Sequence, residues 1–220
     1  MTWFSRVLIN PNLRQGRRLI TNAHVMHAAV LACFPPDVAA NGRVLWRLDE
    51  QHPRYTLYIV SPARPDLRPL SEQAGWSTEP GQILDYGPLL DRVELGTTWR
   101  FRLRANPVRS VSAGRGRRGR IVPHVTPEQQ LGWLAERAGR HGFALVERDG
   151  TSLTAVTGRA DRHFVKNDRH TGGRRAVTLR EAQFDGVLEC TDRQLLRQTL
   201  TQGIGRGKAY GCGLLTIARV

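Results

Sequence analysis

The stretch "NAHVMHAAV" sets His24 and His27 three residues apart, which makes them neighbours on a helix. An imidazole with an ordinary pKa of about 6.5 gives and takes protons near neutral pH, so the pair is the chain's leading candidate for general acid–base work. On the helical wheel Met26, Ala29, Val30 and Cys33 form the apolar stripe, and the two histidines point roughly away from it. As a metal site the pair lacks a third ligand, so neither a metal nor a cofactor is expected. Taken alone, the stretch is equally a surface pair without a role. The catalytic reading gains weight if the partner is RNA, whose 2′-hydroxyl supplies the nucleophile.

Other chemistries lack their residues. Asp49-Glu50 falls at a strand end, and Asp161 and Asp168 stand among arginines, so no paired carboxylates present themselves for two-metal hydrolysis. There is no G-x-S-x-G elbow, and none of Cys33, Cys190 and Cys212 has a histidine close by as an activating base. The closing "GIGRGKAYGCGLLTIARV" places Arg206 and Lys208 among five glycines. It fits neither the P-loop, because Ala209 follows Gly207-Lys208, nor the dinucleotide fingerprint, because Lys208 occupies the third glycine's place. A cationic glycine loop still lets backbone N–H groups close on a phosphodiester; its plainer reading is a helix C-cap at Gly203 followed by an irregular turn.

The charge pattern points to a polyanion. The chain of 220 residues carries 33 basic and 19 acidic side chains, but residues 1–95 hold only 10 and 9 of them. The remaining 125 are strongly cationic, as a nucleic-acid-binding surface requires. Arginine outnumbers lysine 31 to 2, which compositional bias explains, but bias does not explain why one half is nearly neutral. Three scattered cysteines suit a reducing compartment, and with no apolar run of signal-peptide or membrane-span length the chain reads as cytoplasmic.

The elements that must position these residues follow the same order twice. Strands are expected at 2–9, 42–49, 55–61 and 81–86, with a helix from N-cap Asn22 to Phe34 and a weak helical turn near Leu70–Gly75. In the second half, "TTWRFRLRANP" alternates Arg100, Arg102 and Arg104 with Phe101, Leu103 and Ala105, and period two puts the arginines on one face. Thr126, Pro127 and Gln129 are spaced as a capping box. Strands at 143–147, 151–156 and 174–190 precede a helix over 192–202, with Thr191 as its N-cap, and then the glycine loop and a last strand. Each half reads β-α-β-β-α-β, so the expected α+β fold is two tandem ferredoxin-like (RRM-like) domains, 1–95 and 96–220. A single mixed α/β domain is the alternative. The segment "GRADRHFVKNDRHTGGRRAV" (158–177) reads as a long basic hairpin that suits the phosphates of a structured stem, or else as a disordered loop.

Several stretches together resemble the CRISPR-associated endoribonucleases of the CasE type, the RNA-processing subunit of the type I-E Cascade complex. They are "FSRVLINP", "MHAAV", "VLWRLDE", "RFRLRANPVRS", "EQQLGWLAERAG", "FDGVLE" and "QGIGRGKAYGCGLLTIA", running nearly end to end. The resemblance implies metal-independent cleavage of CRISPR repeat RNA at the base of its stem-loop, leaving a 5′-hydroxyl and a 2′,3′-cyclic or 3′ phosphate. Other Cascade subunits are implied as partners. The family's catalytic histidine falls on His27, and His24 replaces a tyrosine found in some members, as a proton-transfer partner or phosphate ligand. The implied RNA-binding set is Arg159, Arg162, Lys166, Arg169, Arg174 and Arg175 on the hairpin, Arg206 and Lys208 on the glycine loop, and Arg102 and Arg104. A non-catalytic scaffold that binds structured RNA is the rival function. If the hairpin grips phosphates, Arg169→Ala or Arg175→Ala weakens binding of a repeat hairpin and lowers the slope of log K against log salt by about 1. Unchanged affinity and slope would remove the hairpin from the interface.

Overall fold

The computed structural model describes residues 1–40, 42–112, 114, 119–167 and 174–220. The first half runs β1 (Trp3–Ile9), α1 (Arg14–Thr21), α2 (Ala23–Leu31), β2 (Leu45–Gln51), β3 (Arg54–Ser61), α3 (Arg68–Ala74), β4 (Gln82–Asp85) and α4 (Gly87–Asp91). Its antiparallel sheet has the order β2-β3-β1-β4. The second half runs β5 (Thr98–Ala105), the hairpin β6 (Val108–Val111) and β7 (Arg120–Pro123), α5 (Pro127–Ala138), β8 (Phe143–Leu145), β9 (Glu147–Arg148), β10 (Thr151–Ser152), β11 (Ala155–Asn167), β12 (Arg174–Cys190), α6 (Arg193–Gln202) and β13 (Leu215–Arg219). Its sheet has the order β11-β12-β5-β13, with β8 also paired to β12. The protein is therefore α+β with two antiparallel sheets of matching strand order.

Capping explains the helix starts. The Asn22 side chain accepts from the backbone N–H groups of His24 and Val25, at 3.0 and 3.2 Å, and opens α2 as expected. Thr126 and Gln129 form the capping box of α5. One cap is corrected: Asp192, not Thr191, accepts from Gln194 and Leu195 and starts α6. The sequence reading also missed α1, α4 and the hairpin β6–β7.

Strand β2 is buried on both faces, and its pleat divides its residues between two cores. Trp46 and Leu48 join Met26, Val30, Leu57 and Ile59 under α2, while Leu45 packs with Leu103, Phe184 and Leu215 of the second half. Phe164 and Leu179, from the middle of the β11–β12 hairpin and toward its turn end, cross the other way into the core under α2. Each core thus draws side chains from both halves.

Arg47, only 2% exposed, holds the joint between them. Its Nε and Nη2 donate to the Asp49 carboxylate at 2.6 and 3.0 Å; Nη1 donates to the carbonyls of Arg102 and Leu214 at 2.9 and 3.0 Å; and Nη2 also donates to Thr216 Oγ1 at 2.9 Å. All five guanidinium N–H groups are satisfied. Arg102 continues the network to Asp49 at 3.3 Å and to Asp185 at 2.5 Å. Burial alone would raise the carboxyl pKa values of Asp49 and Asp185, but hydrogen bonds from Arg47 and Arg102 hold both below the ordinary range.

These depressed carboxyls contribute stability above their unfolded pKa of about 3.9, and the contribution is lost as pH falls through the lower folded values. Asp49→Asn should cost about 3–5 kcal/mol in urea denaturation at neutral pH, because it leaves a buried guanidinium without its counter-charge. The variant's deficit should begin to shrink as pH falls below ~4 and be smallest below the lower folded value, where the wild-type carboxyl protonates too. A loss within the usual surface range of about 0.5 kcal/mol would contradict the structural role of the joint.

Candidate active site

His27 projects from the exposed edge of α2 into a cavity of about 350 Å³ that it lines with Leu31, Gly42, Arg43, Val44, Gln202, Lys208 and Ala209. Helix α2, the approach to β2, the end of α6 and the glycine loop all meet there. The lining is cationic: Arg43 and Lys208 contribute, and no carboxylate does among the described residues. Such a pocket favours a phosphodiester over a cation.

The glycine loop brings Lys208 to this position. Gly203 caps α6 at φ 74°, and Gly205, Gly207, Gly211 and Gly213 also take positive φ. The demand is double at Gly211, where φ is 85° and a Cβ would stand 2.7 Å from the Trp46 ring. Tyr210 packs on Phe164 with ring centroids 4.6 Å apart, which ties the loop to β11 of the basic hairpin. The plain reading of the stretch holds, a helix cap at Gly203 followed by an irregular turn, and the same turn brings Lys208 to the cavity that His27 lines.

The electrostatics of the two groups follow from burial. His27 is half-buried, and burial, then the charge of His24, lowers its pKa below the ordinary value. Burial, then the charge of Arg43, lowers that of Lys208. His27 Nδ1 accepts a hydrogen bond from Trp46 Nε1 at 3.3 Å, so the ring is not free to turn. His24 lies close enough to act on His27 electrostatically but does not line the cavity.

Three arginines expected to face RNA have other partners. Arg102 is bound to Asp49 and Asp185 in the joint, and Arg104 donates to Gln183 at 3.3 Å beside it; period two did group them on one face, but that face meets β2. Arg162 pairs with the buried Glu181 at 2.9 Å, across the middle of the hairpin. Arg159 is exposed and donates to the Val125 carbonyl, and Arg206 is exposed on the glycine loop. Lys166 and Arg175 form a paired rung of the hairpin next to the Asn167–Arg174 rung, but the side chains of Lys166, Arg174 and Arg175 lie outside the described residues, as does all of Arg169. Sequence reasoning missed Arg43, Gln202 and Trp46. Trp46 and Gln202 fall inside stretches that carry the family resemblance but were given no role there, Arg43 falls in none, and only their meeting around His27 reveals them.

Known proteins resemble this chain over nearly its whole length. A family model described as "CRISPR associated protein" matches residues 2–219. The CRISPR-associated endoribonuclease Cse3 of Thermus thermophilus is 30% identical over 223 residues, covering 98% of this chain and 99% of that protein. The CRISPR system Cascade subunit CasE of Escherichia coli is 29% identical over 155 residues, covering 67% and 71%. Among solved structures, CRISPR endoribonuclease Cse3 bound to a 19 nt RNA matches with a TM-score of 0.82 at 26% identity, over 99% of each chain. By this end-to-end match the chain belongs to the CRISPR-associated protein family, of the Cse3/CasE kind.

Proposed function

We propose that this protein is a metal-independent endoribonuclease that binds the stem-loop of CRISPR repeat RNA, cleaves the precursor at the base of the stem and keeps the product as a Cascade subunit. The observation that carries this reading is the shared cavity of His27, Lys208 and Arg43, which is free of carboxylates among the described residues, in a chain matched over its length by an endoribonuclease solved with RNA. We take each sheet with its helices as one ferredoxin-like domain, with the boundary near residues 95 and 96. This reading is supported by the matching order of the two sheets.

The chemistry needs one proton removed and one supplied. The 2′-oxygen attacks the adjacent phosphorus and its proton leaves; the 5′-oxygen of the next nucleotide departs and is protonated. The products are a 2′,3′-cyclic phosphate and a 5′-hydroxyl. Lys208 and Arg43 offset the charge that grows on the phosphorane oxygens, in a recess where screening by water is reduced. His27 takes part in proton transfer at one of the two reacting oxygens, with His24 as its partner or as a contact to a neighbouring phosphate. Of the hairpin cations, Arg159, Lys166, Arg169, Arg174 and Arg175 remain our candidates for the stem, with Arg206 on the glycine loop.

His27→Ala should abolish cleavage of a cognate repeat hairpin while leaving affinity nearly unchanged, and a substrate with 2′-deoxy before the cut should bind without being cleaved. Lys208→Ala should slow single-turnover cleavage roughly 10²–10³-fold, the effect of removing one donor to a developing oxyanion. Tight binding of a verified cognate hairpin by the wild type with no cleavage would instead leave a scaffold.

A further inference from the structure

Trp46 stands between the two parts of the site without lining its cavity. It lies on β2, is 3% exposed and touches both elements that must meet: its indole N–H reaches His27 Nδ1, and its six-membered ring lies against Gly211 of the loop that carries Lys208. An indole nitrogen donates and cannot accept, so the acceptor in that contact is Nδ1, which must be bare. The remaining proton of a neutral imidazole then sits on Nε2.

We propose that Trp46 is a positioning residue of the cleavage site, holding His27 in the tautomer that carries its proton on Nε2 and seating the glycine loop so that Lys208 reaches the same cavity. The inference rests on the reading of His27 as the proton-transfer residue and narrows it. In this tautomer the ring offers N–H, not a lone pair, to an oxygen in the cavity. His27 therefore meets the scissile phosphate or the departing 5′-oxygen as a hydrogen-bond donor and is poorly placed to accept the 2′-hydroxyl proton; it gives a proton to the 5′-oxygen only from the imidazolium, formed when Nδ1 takes up a proton and lets go of the Trp46 N–H.

The titratable groups around His27 are His24 on its own helix and, across the cavity, Arg43 on the approach to β2 and Lys208 on the glycine loop. All are basic. Burial, then the charge of His24, lowers the pKa of His27, and a donor held at Nδ1 works in the same direction.

The test is histidine-ring ¹⁵N NMR of the free protein across pH, made without RNA so that it stands apart from the question of cleavage. His27 should titrate as the Nε2–H tautomer, and the Trp46 indole N–H resonance should move with the same midpoint. Trp46→Phe should raise that midpoint by about half to one pH unit, the worth of one net hydrogen bond, and mix the tautomers. It should also slow cleavage while leaving RNA affinity in place. An Nδ1–H tautomer in the wild type, or an indole resonance blind to the titration of His27, overturns the proposal without recourse to the variant. A correctly assigned tautomer in a protein that cleaves nothing would leave the Trp46 contact standing and sink the catalytic reading.

Discussion

The five hydrogen bonds of the buried Arg47 guanidinium fix where the two sheets meet, and the site follows from that joint. Alternation along β2 is the reason. Once Arg47 and Asp49 are committed to Arg102, Leu214 and Thr216 of the second half, the pleat turns Trp46 and Leu48 toward α2. Trp46 then lies below His27 and against Gly211. A slip of one residue would drive a guanidinium into the apolar core under α2 and expel an indole from it, so the register is strongly specified. Buried ion pairs are weak evidence for stability compared with well-packed apolar residues. Their use here is to set the geometry that brings α2 and the glycine loop to one cavity.

Three separate stretches contribute to that cavity, and both local and long-range contacts hold them. Asn22 sets the start of α2 and hence the angle at which His27 leaves it. The Gly213 N–H donates to the Arg104 carbonyl at 2.6 Å and anchors the far end of the loop to the second sheet. Phe164 packs at a tilt on Tyr210, and Arg162 pairs with Glu181, so the described length of the basic hairpin is fixed to the same loop.

Much of this was legible in the sequence because its determinants are local. Asn22, the capping box at Thr126, the alternation of "RFRLRA" and the C-cap at Gly203 all express hydrogen bonds or periodicities within a few residues. The family resemblance put Lys208 on the RNA, and the structure brings it to the cavity of His27, with Gly211 of the same loop against Trp46. What could not be read was which partner a charge would find. Arg102, Arg104 and Arg162 look like RNA ligands by spacing and by the excess of positive charge, yet Asp49, Asp185, Gln183 and Glu181 claim them through tertiary packing. The displaced cap, Asp192 for Thr191, is a smaller case of two adjacent residues with similar capping ability.

The central claim is that RNA's own hydroxyl attacks, with His27 and its basic neighbours supplying all that the step needs. The most direct measurement is single-turnover cleavage of a cognate repeat hairpin in excess EDTA, with the new ends identified by mass spectrometry. Undiminished cleavage that leaves a 2′,3′-cyclic phosphate and a 5′-hydroxyl is the result expected. Cleavage abolished by the chelator and restored by a divalent metal, or a product ending in a 3′-hydroxyl, would contradict it.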